Sequence, residues 1–293
     1  MIPMKLPICL ILTAVLTCSS AWSQTTKRAD APTRPTPPKP KSENAIIAEI
    51  TEQLASNDPA VRQQGIDAIR ARFATRGLSD LRSYFLRPMM ANKQYAEVAE
   101  LIMEGILACP GETRSVEQVL LIRIKALIAL GKAEEALVNS KSLFNVATMG
   151  GTSEAILAVA ECLNAARADD PQLFNRFREE QIAGSKAPET QPATRPAGAK
   201  LSVLAGIKVD PAPYNQALKK ITAEDASGLM ARGNLLLLAD RVKEARVVFE
   251  RLYSLAGSDI NEASEAIARL IKAEDGTIGR ANAWVLSIRP KKP

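Results

Sequence analysis

The segment RGNLLLLADRVKEARVVFERLY, residues 232–253, decides the fold. Leucine and valine recur through it in the manner of helices, and Ala239-Asp240 interrupts the run with a turn-like pair. Gly233 and Ala245 stand twelve residues apart, one on each side of that turn. Because small side chains let two helix backbones approach closely, we predict an antiparallel helical hairpin whose helices cross at these two residues.

The composition favours helices throughout the chain. Of its 293 residues, 46% are hydrophobic and only 4% are aromatic. Alanine, leucine, glutamate, lysine and arginine favour helices, whereas sheets draw on β-branched and aromatic residues. The hydrophobic fraction is large enough to form a packed core. We therefore predict an all-α protein.

The N-terminus has the residue order of a secretory signal peptide. Lys5 precedes an uncharged apolar run at 6–16, and small polar residues follow up to Ser23. This run is too short to span a bilayer, so we predict a signal peptide at 1–23 and a periplasmic or secreted protein. The alternative is a lipid anchor at Cys18, which Thr17 disfavours because it fits the bacterial lipoprotein box poorly. No later stretch is both long and charge-free enough to cross a membrane.

Two proline-rich segments divide the rest of the chain. Residues 24–42 are basic, and residues 183–200 are rich in alanine and proline. Both lack the apolar side chains that fill a core, so we expect a disordered tether and a flexible linker. They separate two predicted helical-repeat blocks, residues 43–182 and residues 201–293.

The positive charge of the chain follows these segments rather than the helical blocks. The net charge is +6, but the tether, the linker and the C-terminal tail hold the excess of lysine and arginine. The helical blocks are left with a net negative charge. We therefore predict that the protein has no nucleic-acid partner.

Proline, glycine and capping residues mark the predicted helix ends. Asp58-Pro59 opens one helix and Gly77 ends it, and Thr222 is predicted to cap another. The later helices are predicted at 93–109, 115–130, 133–147, 153–167, 171–182, 211–220, 223–239, 241–256, 259–273 and 277–288. The joints between them are short, as neighbouring antiparallel helices require.

The hairpin at 232–253 is similar to the tetratricopeptide repeat, in which small residues face each other across two helices. The residues that match the pattern are Gly233, Leu236, Asp240, Ala245, Phe249 and Leu252. Looser copies match at Ile124, Leu127, Gly131, Ala136 and Leu143, at Leu86, Met89, Tyr95, Val98 and Ile102, and at Gly276, Ala281 and Val285. Ile124 departs from the pattern, which has glycine or alanine there, and residues 56–73 resemble a HEAT unit instead. The resemblance implies an α-solenoid of antiparallel helical hairpins.

The resemblance also implies where a partner binds. In tetratricopeptide proteins the first helix of each hairpin lines a concave face, and the residue after its small position can hold a peptide carboxylate. That position falls on Arg87, Lys125 and Asn234, whose cationic or amide groups suit charge-assisted hydrogen bonds. The polar group that peptide-binding members carry one turn earlier is not matched. The alternative is that the three residues are ordinary solvated groups on a helix surface.

The sequence offers no recognisable catalytic or metal site. It has no histidine, which excludes nucleophilic Ser-His and Cys-His pairs. Neighbouring carboxylates such as Glu134-Glu135 diverge on a helix, so they do not face each other across a cleft. Cys109 and Cys162 lie among apolar helical residues, where a cysteine more often fills core than forms a disulfide or a zinc site. We expect no enzymatic activity, no metal and no cofactor.

One function and one alternative follow from these observations. We expect an exported, non-catalytic scaffold that binds another envelope or extracellular protein through the concave face of the solenoid. The alternative is a cell-wall or polysaccharide-associated structural protein whose basic tether meets an anionic polymer. The two differ in salt response, because binding by the tether should collapse as salt rises and binding in a groove should survive.

Overall fold

The computed structural model describes residues 41–185, 202–255 and 260–288. Within these ranges the chain forms helices and no strand, so the all-α prediction is confirmed. The described residues from 42 onward belong to one compact unit. The predicted signal peptide at 1–23 lies outside the described residues, as does the tether at 24–42 except for its last two residues. Most of the linker at 183–200 also lies outside them.

Fourteen α-helices and one π-helical turn make up the described part of the chain. They are α1 (Glu43–Ala55), α2 (Pro59–Asp80), the π-helical turn (Leu81–Phe85), α3 (Leu86–Ala91), α4 (Tyr95–Ala108), α5 (Thr113–Ala129), α6 (Ala133–Val146), α7 (Thr152–Ala166), α8 (Pro171–Ser185), α9 (Ser202–Ala205), α10 (Ala212–Leu218), α11 (Ala226–Leu238), α12 (Val242–Leu255), α13 (Ile260–Asp275) and α14 (Gly279–Ile288). From α4 onward, no end of a predicted helix differs from the observed end by more than three residues.

Capping side chains explain where several helices begin. The Asp58 carboxylate accepts a hydrogen bond from the N–H of Ala60 at 2.8 Å, which confirms it as the cap of α2. The prediction that Thr222 caps the next hairpin is wrong. Asp225 caps α11 instead, because its carboxylate accepts from the N–H of Gly228 at 2.8 Å, and an acidic cap also suits the positive end of a helix.

The same turn geometry closes three hairpins, those of α3 and α4, α5 and α6, and α11 and α12. Each turn contains one residue with positive φ: Lys93 (57°), Gly131 (73°) and Asp240 (57°). The N–H of that residue donates to the carbonyl three residues earlier, and the next N–H donates to the carbonyl five residues earlier. This pattern satisfies two carbonyls that the end of the first helix leaves unpaired. The three hairpins are therefore locally alike.

The crossing of α11 and α12 explains the glycine at position 233. A Cβ atom at Gly233 would lie less than 3.0 Å from three carbons of the Phe249 ring. Phe249 and Ala245 are both fully buried. Gly233 thus makes room for an aromatic ring as the two helices approach. Ile124 and Ala136, which correspond to Gly233 and Ala245 in the hairpin of α5 and α6, are also buried, and so is Leu236 on α11.

Helix α6 is enclosed by helices of both blocks. It packs against α5 and α7 of the first block and against α11 and α13 of the second. From Ala136 to Val146 every residue except Val138 is buried, although five of the buried residues are polar: Asn139, Ser140, Lys141, Ser142 and Asn145. In a simple stack each hairpin contacts only its neighbours in the row. The second block instead folds back onto α6, so the blocks are packed together through this helix.

Candidate protein-binding groove and buried polar junction

The three predicted binding residues do not share one environment. Arg87 on α3 and Lys125 on α5 are exposed, and neither is hydrogen-bonded or ion-paired within the described part of the chain. Asn234 is only 1% exposed. Its Nδ2 donates to the carbonyl of Pro110 at 2.8 Å and to Oγ1 of Thr113 at 2.9 Å.

The environment of Asn234 corrects the expectation that it is open to a partner. Besides donating two hydrogen bonds, its Oδ1 accepts one from Nη1 of Arg269 at 2.7 Å. The Asn234 side chain therefore joins α11 to the start of α5 and to α13. Its amide is used in hydrogen bonds within the protein, so only Arg87 and Lys125 of the three predicted residues are free to bind a partner.

A groove of about 780 Å³ lies between α10, α11 and α12. Its apolar lining includes Leu218, Leu236, Val247 and Val248. Val247 is 68% exposed, the highest fraction among the exposed large hydrophobic side chains of the described residues. We call this surface, which also includes the polar residues Asn215, Lys219, Arg232, Arg241 and Glu244, the α10–α12 groove.

Charged side chains frame the groove. Arg241 donates through Nη1 to Oδ1 of Asn215 at 2.6 Å and through Nε to Oε1 of Glu244 at 2.7 Å. The hydrogen bond from Arg241 lowers the pKa of Glu244. Arg232 pairs with Glu224 at 3.0 Å. Three cations and one carboxylate line the groove, so its rim is positive.

Polar side chains of α6 bind the end of α11 inside the molecule. Ser142 Oγ donates to the carbonyl of Leu238 at 2.9 Å, and Asn145 Nδ2 donates to the carbonyl of Leu237 at 3.2 Å. Lys141 Nζ pairs with the Asp240 carboxylate at 2.6 Å, next to the same helix end. The last carbonyls of a helix lack intrahelical partners and attract cations. The buried polar groups of α6 therefore stabilise the C-terminus of α11.

Helix α13 buries two cations, Lys272 against the first block and Arg269 against α11 and α12. Lys272 Nζ donates to the carbonyl of Ala147, at the C-terminus of α6, and lies 5.1 Å from the centre of the Phe144 ring. Arg269 lies over the Phe249 ring at 5.5 Å. Neither cation forms an ion pair with a described residue. They are held by carbonyl, amide, sulfur and aromatic groups instead.

Burial shifts the ionisation of this cluster. Burial, together with the neighbouring positive charge of Arg269, lowers the pKa of Lys272 to about 7. Burial also lowers the pKa of Arg269 to about 10. Glu117, which accepts hydrogen bonds from the N–H and hydroxyl of Thr148, has its pKa raised by burial. Perturbed groups of this kind occur both in active sites and in structural networks. Because Lys272 and Glu117 are each bonded to the backbone of the chain, the structural role accounts for them.

This junction could not be recognised from the sequence. Arg269 and Lys272 are charged residues on a helix, and such residues are seldom fully buried. Their apolar surroundings come from residues far away in the chain. The one available hint is their spacing of three, which places both on one side of α13. That spacing is equally typical of a solvated face.

The described residues contain two cysteines and no recognisable metal or membrane-spanning site. Cys109 and Cys162 are both free thiols, and burial raises the pKa of Cys162 to about 11. Across the described ranges, no three His, Cys, Asp or Glu side chains come together as metal ligands. None of the helices described is both long and apolar enough to cross a membrane.

Comparison of the chain with protein-family models, curated proteins and solved structures finds no match. The resemblance in its hairpins therefore rests on the residues and turn geometry given above.

Proposed function

We propose that this chain is a non-catalytic scaffold that binds another protein in the cell envelope or outside the cell. Its helical hairpins resemble tetratricopeptide repeats, and three of them share one turn geometry. Repeats of this kind commonly serve as rigid supports for partner-binding surfaces. The α10–α12 groove is the surface that we assign to the partner.

The exposed apolar lining of the groove is the observation that carries this proposal. An apolar centre with a polar rim is typical of protein interfaces. Val247 is the most exposed of the four apolar residues that line the groove, and Lys219, Arg232 and Arg241 line it as well. Lys219 makes no ion pair within the described residues, so its charge is available to a partner. The groove suits a segment of the partner that combines apolar side chains with acidic ones.

The first test replaces one apolar side chain of the groove. The tagged protein is crosslinked and co-purified from its native envelope as wild type, as Val247→Glu and as Leu157→Glu. Leu157 is the matched control, because it is 62% exposed on α7 and does not line the groove. We expect Val247→Glu to lose the partner and Leu157→Glu to retain it. Equal recovery by all three forms would remove the groove from the proposal.

The second test reverses one charge of the rim. Lys219 lines the groove and Lys220 is its exposed neighbour outside it, so Lys219→Glu and Lys220→Glu change the net charge by the same amount. Once the partner is known, we expect Lys219→Glu to weaken binding about tenfold more than Lys220→Glu does. If both variants weaken binding equally, the partner responds to net charge and not to the groove.

The alternative of polymer binding by the basic tether makes the opposite predictions. Removal of residues 24–42 or a rise in salt should abolish binding to an anionic polymer and leave groove binding in place. A chain that loses all binding when residues 24–42 are removed is a polymer-associated protein.

A further inference from the structure

Helix α5 begins with unpaired N–H groups that face a second pocket. The capping position is occupied by Glu112, whose carboxylate accepts from the N–H of Leu78 at 3.1 Å and does not cap α5. The N–H groups of Arg114 and Ser115 have no acceptor among the described residues. Both residues line a pocket of about 490 Å³. Free N–H groups and the helix dipole make such an end attractive to an anion.

A buried arginine that lines this pocket adds a second and independent attraction. Arg269 lines the pocket and is 1% exposed. Two of its nitrogens are bonded, Nη1 to Asn234 and Nη2 to the sulfur of Met230 at 3.2 Å, but Nε has no partner. No described carboxylate forms an ion pair with it. The protein thus holds an incompletely bonded guanidinium beside the free end of α5.

Carboxylates of α13 form another wall of the same pocket. Glu262 and Glu265 lie three residues apart on one side of the helix and both line the pocket. Their charges favour the ionised form of Arg269, yet neither is hydrogen-bonded or ion-paired with a described residue. A simple anion such as sulfate would meet these two negative charges. A molecule with both a carboxylate and a cationic group could bind the N–H groups near Arg269 through the first and the carboxylates of α13 through the second.

We propose that this pocket, the α5–α13 pocket, binds a small zwitterion. The carboxylate of the ligand accepts from the N–H groups of Arg114 and Ser115 in the field of Arg269, and its ammonium or guanidinium group meets Glu262 and Glu265. Pockets for small molecules typically measure about 300 to 1,000 Å³, so the space fits an amino acid or the last residues of a peptide. The α5–α13 pocket is separate from the α10–α12 groove, and its ligand does not depend on the scaffold function.

Four probes separate the two charges of the ligand and its two sources. They are Nα-acetyl-L-lysine, which has both charges, Nα-acetyl-L-lysinamide, which lacks the carboxylate, Nα-acetyl-L-alanine, which lacks the cation, and free L-lysine. Each is titrated at low salt into the chain from residue 24 onward, by calorimetry and by backbone amide NMR. We expect Nα-acetyl-L-lysine or free lysine to bind and to shift the amide resonances of Arg114 and Ser115. Each probe with a single charge should bind at least about tenfold more weakly.

Charge-matched variants locate the binding. The double change Glu262→Gln and Glu265→Gln should weaken binding of the zwitterion about tenfold, whereas Glu154→Gln with Glu161→Gln removes two exposed carboxylates of α7 and should not. Arg114 lines the pocket, so Arg114→Gln, which keeps the backbone N–H and removes a positive charge, should also weaken binding of the carboxylate, with Arg87→Gln as its control. Far-UV circular dichroism checks that every variant remains folded.

Each outcome decides the proposal. Tighter binding of Nα-acetyl-L-lysine than of lysine identifies a peptide C-terminus as the source, and the reverse order identifies a free amino acid. The proposal is overturned if no probe binds, if the lysinamide binds as well as the acid, or if the α7 control loses as much affinity as the α13 variant. These results do not depend on recovery of a protein partner, so failure here is distinct from failure of the groove.

Discussion

Replacing Gly233 by alanine tests the crossing of α11 and α12 directly. The added methyl group would lie less than 3.0 Å from three ring carbons of Phe249. Carbon atoms in contact are normally about 3.5 to 4.0 Å apart, so the ring or the helices must move by roughly 1 Å. Phe249 is fully buried and has no free space to enter without disturbing its neighbours.

The expected cost follows from two opposing terms. Overpacking of a core costs about 1 to 3 kcal/mol, and a contact this short belongs at the upper end. Alanine is favoured over glycine inside a helix by about 1 kcal/mol, which offsets part of that cost. We expect Gly233→Ala to lower the free energy of unfolding by about 2 kcal/mol. Gly150→Ala is the control, because a Cβ atom at Gly150 meets nothing within 4 Å.

Urea unfolding followed by circular dichroism measures both variants. A second measurement uses Phe249→Leu, whose smaller side chain relieves the clash. In that background Gly233→Ala should cost at least about 1 kcal/mol less than it does in the wild type. The reasoning is refuted if Gly233→Ala is as stable as the wild type, or if its cost is unchanged beside Leu at position 249.

Three further predictions concern buried groups and the kink of α2 at Gly77. The pKa of Lys272, about 7 in the folded chain, lies below the value of about 10.4 for an unfolded chain, so the unfolded state binds more protons between these values. Near pH 8 the free energy of unfolding should therefore rise by about 1 kcal/mol for each unit of increasing pH because of this group. Below pH 7 this dependence on pH should disappear. Lys272→Met should remove this contribution, and urea titrations from pH 7.0 to 8.5 that give parallel curves for the two proteins would contradict it. Asn234→Ala should lower the free energy of unfolding by about 2 to 3 kcal/mol because it leaves buried groups unpaired, whereas Arg87→Ala and Lys125→Ala should stay within about 0.5 kcal/mol. Thermal unfolding that ranks Asn234→Ala with those two surface variants would disprove its internal role. Gly77→Ala should lower the melting temperature in calorimetry, since Gly77 lies at a kink inside α2 with φ 65° and a Cβ atom there would strike the Glu112 carboxylate. An unchanged melting temperature would show that this kink adjusts freely.

Local features of the chain were predictable from the sequence. The turns at Gly131 and Asp240 and the cap at Asp58 depend on residues within one helical turn of each other, so their chemistry can be recognised in the sequence itself. The error at Thr222 has the same local character. Thr222 and Asp225, which are both residue types that cap helices, lie three residues apart, and it is the carboxylate of Asp225 that accepts the capping hydrogen bond.

The candidate sites were less accessible to sequence reasoning because they depend on distant residues. The repeat pattern predicts the helix on which Asn234 lies, but its burial comes from Pro110 and Arg269, which are 124 and 35 residues away. The α10–α12 groove likewise depends on how α10 packs against the following hairpin. None of the copies of the repeat pattern includes α10, so the resemblance does not predict how α10 packs. The sequence therefore predicted features that lie within one hairpin, but it did not predict surfaces that form where separate hairpins meet.

The enclosure of α6 has a consequence for the order of folding. The hydrogen bonds that bury its polar side join residues far apart in the chain, 66 residues for Lys141 and Ile207 and 125 for Lys272 and Ala147. Contacts of such long range form late, and α11 and α13 are synthesised after α6. Before α11 and α13 pack against it, this side of α6 exposes polar groups that water can hydrate, and not a continuous row of leucines. These groups are the ammonium of Lys141, the hydroxyl of Ser142 and the amide of Asn145. A partly synthesised chain therefore does not expose a purely hydrophobic surface to other proteins before its second block has been made.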